Sequence, residues 1–314
     1  MLDTIIYYVQ HNGFQRDTIP ILFTNKSFYN NHYLWHKIVN LKHTLTPLMC
    51  ASYNINYDRV KFLLDSGAYV NTLDSSKQPA LLYTLTAYKQ LPNNCTKCPN
   101  CNHKRNEIIK IINELCECNQ NLNILTITLD NMVMFAIKLN FIEAIEIFCK
   151  YDFDINHKNI NGKTAMSIAI ANISPLICYY LWKKGANINT VDSKKHTFLM
   201  TLVYEYNELI TYEMIEEVLQ NNPDMNALDS NNCNALAYAC SSNNLPTKIV
   251  ELLVKYGVDV HVTLYWAIDK NKIDYINILC KSKNIIFYDD LIKYAKKSKN
   301  KVIEKLLIKN LNKL

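Results

Sequence analysis

The sequence predicts an all-α chain, a solenoid of stacked helix-turn-helix units joined by short turns. Three observations carry that prediction. A short apolar helix signal recurs along the chain, and about twenty residues after each one stands Gly-Ala-x-x-Asn or a worn version of it. The units start near Thr46, Pro79, Asn131, Thr164, Thr197, Asn234, Val262 and Asp290, and a spacing of 33 residues recurs three times. The 314 residues are 49% hydrophobic yet hold only five glycines, which suits one large continuous core and not several loop-rich sheets.

Residues 1–43 precede the first unit and lack its pattern. They contain Ile19-Pro20-Ile21-Leu22-Phe23-Thr24-Asn25-Lys26-Ser27-Phe28-Tyr29 and, further on, Leu34-Trp35-His36-Lys37-Ile38: an apolar helix, an aromatic and Leu-Trp. Two readings stand. One is a helical cap covering the first unit. The other rests on a resemblance to the second half of an F-box, with the Leu-Pro opening missing or reduced to Leu2–Val9. That resemblance implies that Leu22, Phe28, Leu34 and Trp35 pack a small module docking on the adaptor of a cullin ubiquitin ligase. His32 and His36 lie one helical turn apart but lack the intervening glutamate of a zinc protease, and read as surface residues.

The first unit opens on Thr46-Pro47-Leu48-Met49-Cys50-Ala51 and closes on Gly67-Ala68-Tyr69-Val70-Asn71. Thr46 can cap its helix while Pro47 occupies the first turn, where no amide hydrogen is needed. Leu48, Ala51, Val60, Leu63 and Leu64 fall at helical spacing, and Gly67 suits a left-handed cap. The unit at Thr164 closes on Gly185-Ala186-Asn187-Ile188-Asn189. Asn71 and Asp74 recur as Asn156 and Asn159, Asn189 and Asp192, and Asn226 and Asp229, short polar side chains able to hydrogen-bond their own turns. The interval from Pro79 to Asn131 is 52 residues, which places an insertion, expected as a loop, at 89–105 between helices at 79–88 and 106–117. The interval of 37 from Thr197 to Asn234 places four extra residues near Glu205–Thr211, and closing intervals of 28 indicate trimmed turns.

These spacings resemble those of ankyrin repeat proteins from residue 46 to about 310. The resemblance implies an intracellular, non-catalytic scaffold for protein–protein interaction. The chain departs from the family at the fourth position of Thr-Pro-Leu-His, where Met49, Leu82, Met134, Ser167, Met200, Ala237 and Tyr265 replace histidine. The usual inter-repeat hydrogen-bond network is therefore in question. Heavy use of Asn, Ile, Lys and Tyr resembles the ankyrin proteins of giant DNA viruses of amoebae.

The insertion carries Cys95-Thr-Lys-Cys98-Pro-Asn-Cys101-Asn-His103, four soft or borderline ligands in close succession. It reads as a zinc site with Cys118 as alternative fourth ligand, as a flexible cysteine-bearing loop, or as a redox-sensitive thiol cluster. Cys116 falls at a core position of the following helix. The net charge of +6 hides an asymmetry, since residues 270–314 hold twelve lysines and four acids. Lys301, Lys305 and Lys309 recur opposite Val302, Ile303, Leu306 and Leu307, as on an amphipathic last helix. Two alternative functions stand: a substrate receptor for a cullin ubiquitin ligase, which the F-box resemblance implies, and zinc-assisted nucleic-acid binding through this end and the cysteine segment, tested by salt-dependent binding to unrelated duplexes.

No glycine-rich phosphate loop, leader peptide or apolar run of membrane-spanning length occurs. Eleven cysteines, an odd number with several at apolar helix positions, indicate reduced thiols inside a cell. The expected partner surface runs along the inter-repeat turns and first-helix faces, through Tyr53, Asp74, Lys77, Lys158, Asp192, Lys194, Asp229 and Asn231. Charge reversal at Asp192 and Lys194 is expected to weaken partner capture without lowering the melting temperature.

Overall fold

Apolar stripes at helical spacing and polar, Asx-rich turns lead to sixteen α-helices and one isolated antiparallel bridge, Val191 with Thr197, among the residues described by the computed structural model. Those residues are 45–92, 99–242, 245–281, 288–297 and 301–311. The cap and F-box readings of residues 1–43 lie outside them, as do Cys95 and Cys98. Between Gly162 and Lys163 the chain divides into two compact units.

The first unit contains three helix pairs: α1 (Pro47–Tyr53) and α2 (Tyr57–Asp65), α3 (Ala80–Lys89) and α4 (Pro99–Glu117), α5 (Met132–Lys138) and α6 (Ile142–Phe148). The second contains five: α7 (Ala165–Ala171) and α8 (Pro175–Lys183), α9 (Phe198–Tyr204) and α10 (Tyr212–Gln220), α11 (Ala235–Ser241) and α12 (Thr247–Lys255), α13 (His261–Asp269) and α14 (Ile273–Leu279), α15 (Tyr288–Lys297) and α16 (Lys301–Leu311). Within the first unit α1 packs on α3 and α3 on α5, while α2 packs on α4 and α4 on α6. Within the second, α9, α11, α13 and α15 touch in sequence, and α12, α14 and α16 do likewise. First helices thus stack on first helices and second on second, so each pair buries its apolar face against its neighbours in a repeat stack. No helix among the described residues is long and apolar enough to cross a membrane.

Local chemistry explains the starts. The hydroxyls of Thr46, Thr164 and Thr197 accept the amides of Met49, Ser167 and Met200, each at 3.2 Å. Asn131 and Asn234 cap in the same way, accepting from Met134 at 2.9 Å and Ala237 at 3.0 Å. The residues that replace histidine therefore sit in the capping turn, and Ser167 returns the contact by accepting the Thr164 amide at 3.0 Å. Two positions beyond, Ala51, Ala136, Ala169 and Ala239 are buried, small enough for the paired helices to close on each other. Gly67, at φ +84°, ends α2 in the left-handed region.

Asparagine side chains link neighbouring repeats where the fourth-position histidine is absent. In the first unit Asn71 Oδ1 accepts the Asn121 amide and Asn123 Oδ1 the Asp154 amide, both at 2.7 Å. In the second, Asn189 accepts from Asp224 at 2.7 Å and Asn226 from Asp259 at 2.8 Å. Each receiving residue folds its own Asx turn: Asn121 accepts the Asn123 amide at 2.9 Å, and Asp224 the Asn226 amide at 3.2 Å. Side-chain amides add two bonds, Asn131 Nδ2 to Asp154 O at 3.5 Å and Asn234 Nδ2 to Asp259 O at 2.7 Å.

The expected loop at 89–105 is corrected in its second half, because α4 begins at Pro99 and runs through Arg105. Residues 99–105 contain no apolar periodicity, and tertiary contacts supply what the pattern lacks. Proline suits the first turn. The Arg105 guanidinium lies 2.8 Å from Glu143 Oε1 and 3.0 Å from Oε2, and rests over Tyr88 and Phe141, whose rings stack at 3.7 Å. Further along α4, Glu114 accepts from the Tyr57 hydroxyl at 2.7 Å and from Lys61 at 3.2 Å, and Cys116 is buried. In α16, Ile303 and Leu307 are buried, but Val302 is 60% exposed on the lysine side, a departure from the expected apolar face.

Two stability outcomes follow from this packing. Ile173 holds φ +52° in the link after α7, as Ile55 does at +55° after α1, where the links after α5 and α13 use Asn140 and Asn271, and it is 43% exposed. Left-handed backbone is an outlier for a β-branched residue. Ile173→Asn should therefore raise the unfolding free energy by about 1 kcal/mol in urea titration. Ala169→Leu should lower it by about 1–3 kcal/mol through overpacking between α7 and α8, and hydrogen exchange should accelerate there and in α9 and α10 before α13 to α16.

Candidate partner-binding surface

The turns that precede α3, α9 and α11 share one construction, in which a carboxylate oxygen accepts two amides. In these turns and those before α5 and α7, the residue two places before the helix cap takes a left-handed backbone. Asp74 Oδ1 accepts from Ser76 at 2.8 Å and Gln78 at 2.7 Å. Asp192 Oδ1 accepts from Lys194 and His196, and Asp229 Oδ1 from Asn231 and Cys233, all at 2.8 Å. The left-handed residues are Lys77, Leu129, Gly162, Lys195 and Asn232, at φ between +55° and +69°.

The remaining carboxylate oxygens are occupied as well. Tyr83 donates to Asp74 Oδ2 and Tyr238 to Asp229 Oδ2, each at 2.7 Å. Burial, with the bonded carboxylate adding to it, pushes both phenols well above the usual tyrosine range. The His196 ring spans two turns, with Nδ1 3.1 Å from Asp192 Oδ2 and Nε2 3.7 Å from Asp229 Oδ2. In the first unit the buried Asp130 plays the linking part, accepting from Thr128 at 2.5 Å, from Asn159 Nδ2 at 2.8 Å and from Lys138.

This geometry corrects three of the expected contact residues. The Asp229 carboxylate is fully covered and that of Asp192 is 4% exposed, while Asp74 spends its oxygens on its own turn and on Tyr83. All three shape the surface from beneath. Reversal of Asp192 would break its turn, so it cannot leave stability intact. Lys77, Lys158, Lys194 and Asn231 are exposed. Tyr53 is half-buried at the end of α1, edge-on to Tyr83 at 6.4 Å, and accepts from Gln90 at 2.7 Å.

Neighbouring turn tips are joined through the backbone. Ile160 donates its amide to Thr128 O at 3.2 Å in the first unit. In the second, Ser230 donates both amide and hydroxyl to Lys194 O at 2.9 Å, which brings Lys194 and Asn231 onto one edge. Apolar side chains stand out beside these polar turns: Leu73, Ile127, Leu129 and Ile160 in the first unit, Val191 and Leu228 in the second, with Ile127 85% exposed. Sequence reasoning missed them, although Leu73, Val191 and Leu228 each directly precede a turn aspartate.

Of the proposed metal ligands, Cys95 and Cys98 lie outside the described residues. Cys101 and His103 sit in the first turns of α4, and side chains two apart on a helix point to different sides. Cys118 is exposed just past the end of α4. Among the described residues no three histidine, cysteine or acidic side chains are grouped to hold a metal ion.

Burial pushes the Asp130 and Asp229 carboxyls up, but their hydrogen bonds outweigh it and hold both below the usual carboxylate range. A depressed folded value stabilises the ionised protein above the unfolded value, and the gain disappears as pH falls through the folded one. The urea midpoint should therefore decline as pH drops below about 4. Asp229→Asn should lower the midpoint at pH 7 and make that decline shallower.

The chain matches models of a known repeat family. A model of three consecutive ankyrin repeats matches residues 101–192, 173–263 and 199–289, and a single-repeat model matches 44–75. An ankyrin repeat domain from Acinetobacter baumannii AYE is similar at 19% identity and a TM-score of 0.49, covering 68% of this chain and 98% of its own. A second ankyrin repeat protein is similar at 19% identity and 0.48, covering 67% and 98%. No curated protein matches the sequence. The family models span most of the helix pairs and more than half of the sequence, and on that ground the chain belongs to the ankyrin repeat family.

Proposed function

We propose that the chain is a non-catalytic scaffold that holds a protein partner on its turn tips and the adjoining first-helix faces. Ankyrin repeats mediate protein–protein interaction. The observation that carries the placement is the set of apolar side chains exposed on turns whose backbone is already fixed, above all Ile127, Leu129 and Ile160 in the first unit. Rigid tips lose little conformational entropy on binding, so their apolar area is available to stabilise a complex. Thiols outside any disulfide at Cys50, Cys116, Cys118, Cys178, Cys233 and Cys240 support a reducing compartment inside the cell.

Capture of cellular proteins by the immobilised full chain tests this placement. Ile127→Asp with Lys158→Glu, or Leu228→Asp with Lys194→Glu, should reduce recovery of the principal partner by about tenfold while leaving the melting temperature within a few degrees. Lys150→Glu with Lys248→Glu, on the second-helix side, should leave recovery unchanged. Loss with the second-helix pair and retention with both tip pairs would move the interface to the other side of the stacks.

A further inference from the structure

We propose that the loop between α9 and α10, with the tyrosine face beside it, receives a partner segment that is both apolar and cationic. This rests on the protein-binding reading above and names the chemistry of the partner. The repeat containing this loop is 37 residues long where the recurring spacing is 33, so the loop is an addition to the common pattern. It is held in shape: Asn207 Nδ2 donates to Glu205 O, Asn207 Oδ1 accepts the Leu209 amide, both at 2.9 Å, and Ile210 is buried beneath. That anchoring turns Leu209 outward, where it is 64% exposed. At the end of α9, Tyr204 is 44% exposed and edge-on to Tyr238 at 5.7 Å, and Tyr238 is edge-on to His196 at 5.9 Å. The aromatic face thus extends from the loop toward the turn tips.

Charge selects the occupant. Between Lys195 and Lys248 the sequence has no lysine or arginine and seven acids, in a chain whose net charge is +6. Glu217 is engaged by Lys183 and Tyr179, and Asp229 is buried. Glu205 and Glu208 flank the loop, exposed and without an ion pair among the described residues. A lysine or arginine there meets two carboxylates and the faces of tyrosine rings, which both attract cations. An apolar neighbour in the same segment covers Leu209 and Tyr204. An acidic segment would bring like charges together, and a purely polar one would leave Leu209 in water.

Fluorescence anisotropy of the full chain with a short fluorescein-labelled peptide of alternating lysine and leucine tests this. The peptide should bind, weaken as salt is raised, and lose about tenfold in affinity with Glu205→Lys and Glu208→Lys together. Leu209→Ser should also weaken it. Asp65→Lys with Glu146→Lys, which changes net charge equally in the first unit, should leave it unchanged. Equal binding of a glutamate–leucine peptide, or equal loss with the first-unit pair, would overturn the proposal. Salt-sensitive self-association abolished by the Glu205 and Glu208 reversals would also overturn it, placing the lysine-rich α16 of a second copy in the site. Failure of the peptide alongside tip-dependent partner capture would sink this assignment alone and leave the scaffold reading standing.

Discussion

A side-chain oxygen that accepts two backbone amides is the constraint on which this architecture turns. Asp74, Asp192 and Asp229 each do so within one turn, and the chain then enters the next first helix at a set angle. Without that closure the left-handed backbone at Lys77 or Lys195 would have nothing to offset its cost. A carboxylate bound by several donors has little left to offer a ligand. The charges that look most like binding groups are therefore the ones committed to structure.

The same chemistry links neighbours. Asn71, Asn123, Asn189 and Asn226 reach the following repeat, each by one bond to a backbone amide. A net gain of about 1 kcal/mol per bond is modest, but every pair of stacked helices also buries a row of aliphatic side chains. Cohesion is accordingly a nearest-neighbour property within each unit, and the histidine absent from the fourth repeat position is not needed for it.

Function follows from what this scaffold leaves over. Turn backbones are fixed by buried or half-buried polar groups, so the residues between them can be apolar and exposed without loosening the fold. Ile127 and Ile160 on one unit and Val191, Leu228 and Leu209 on the other occupy such places. Lys158 and Lys194 place a basic side chain on a turn of each unit, and Glu205 and Glu208 add an acidic loop to the second. In a stack of this kind the exposed side chains of the turns can vary while the core stays the same.

Periodicity alone determined the class of fold, the helix starts capped by Thr46, Thr164 and Thr197, and the glycine-ended second helix at Gly67. Those features arise from residue-to-backbone chemistry within a few positions, which a sequence displays directly. The helical stretch from Pro99 to Arg105 was not legible, because its support comes from Glu143, Tyr88 and Phe141 and not from its own pattern. Nor was the role of the turn aspartates as binding or building residues, since a carboxylate in a turn reads the same whether Tyr238 and His196 cover it or water does. Burial is set by what packs on a side chain from elsewhere in the chain, and only the tertiary structure decided it.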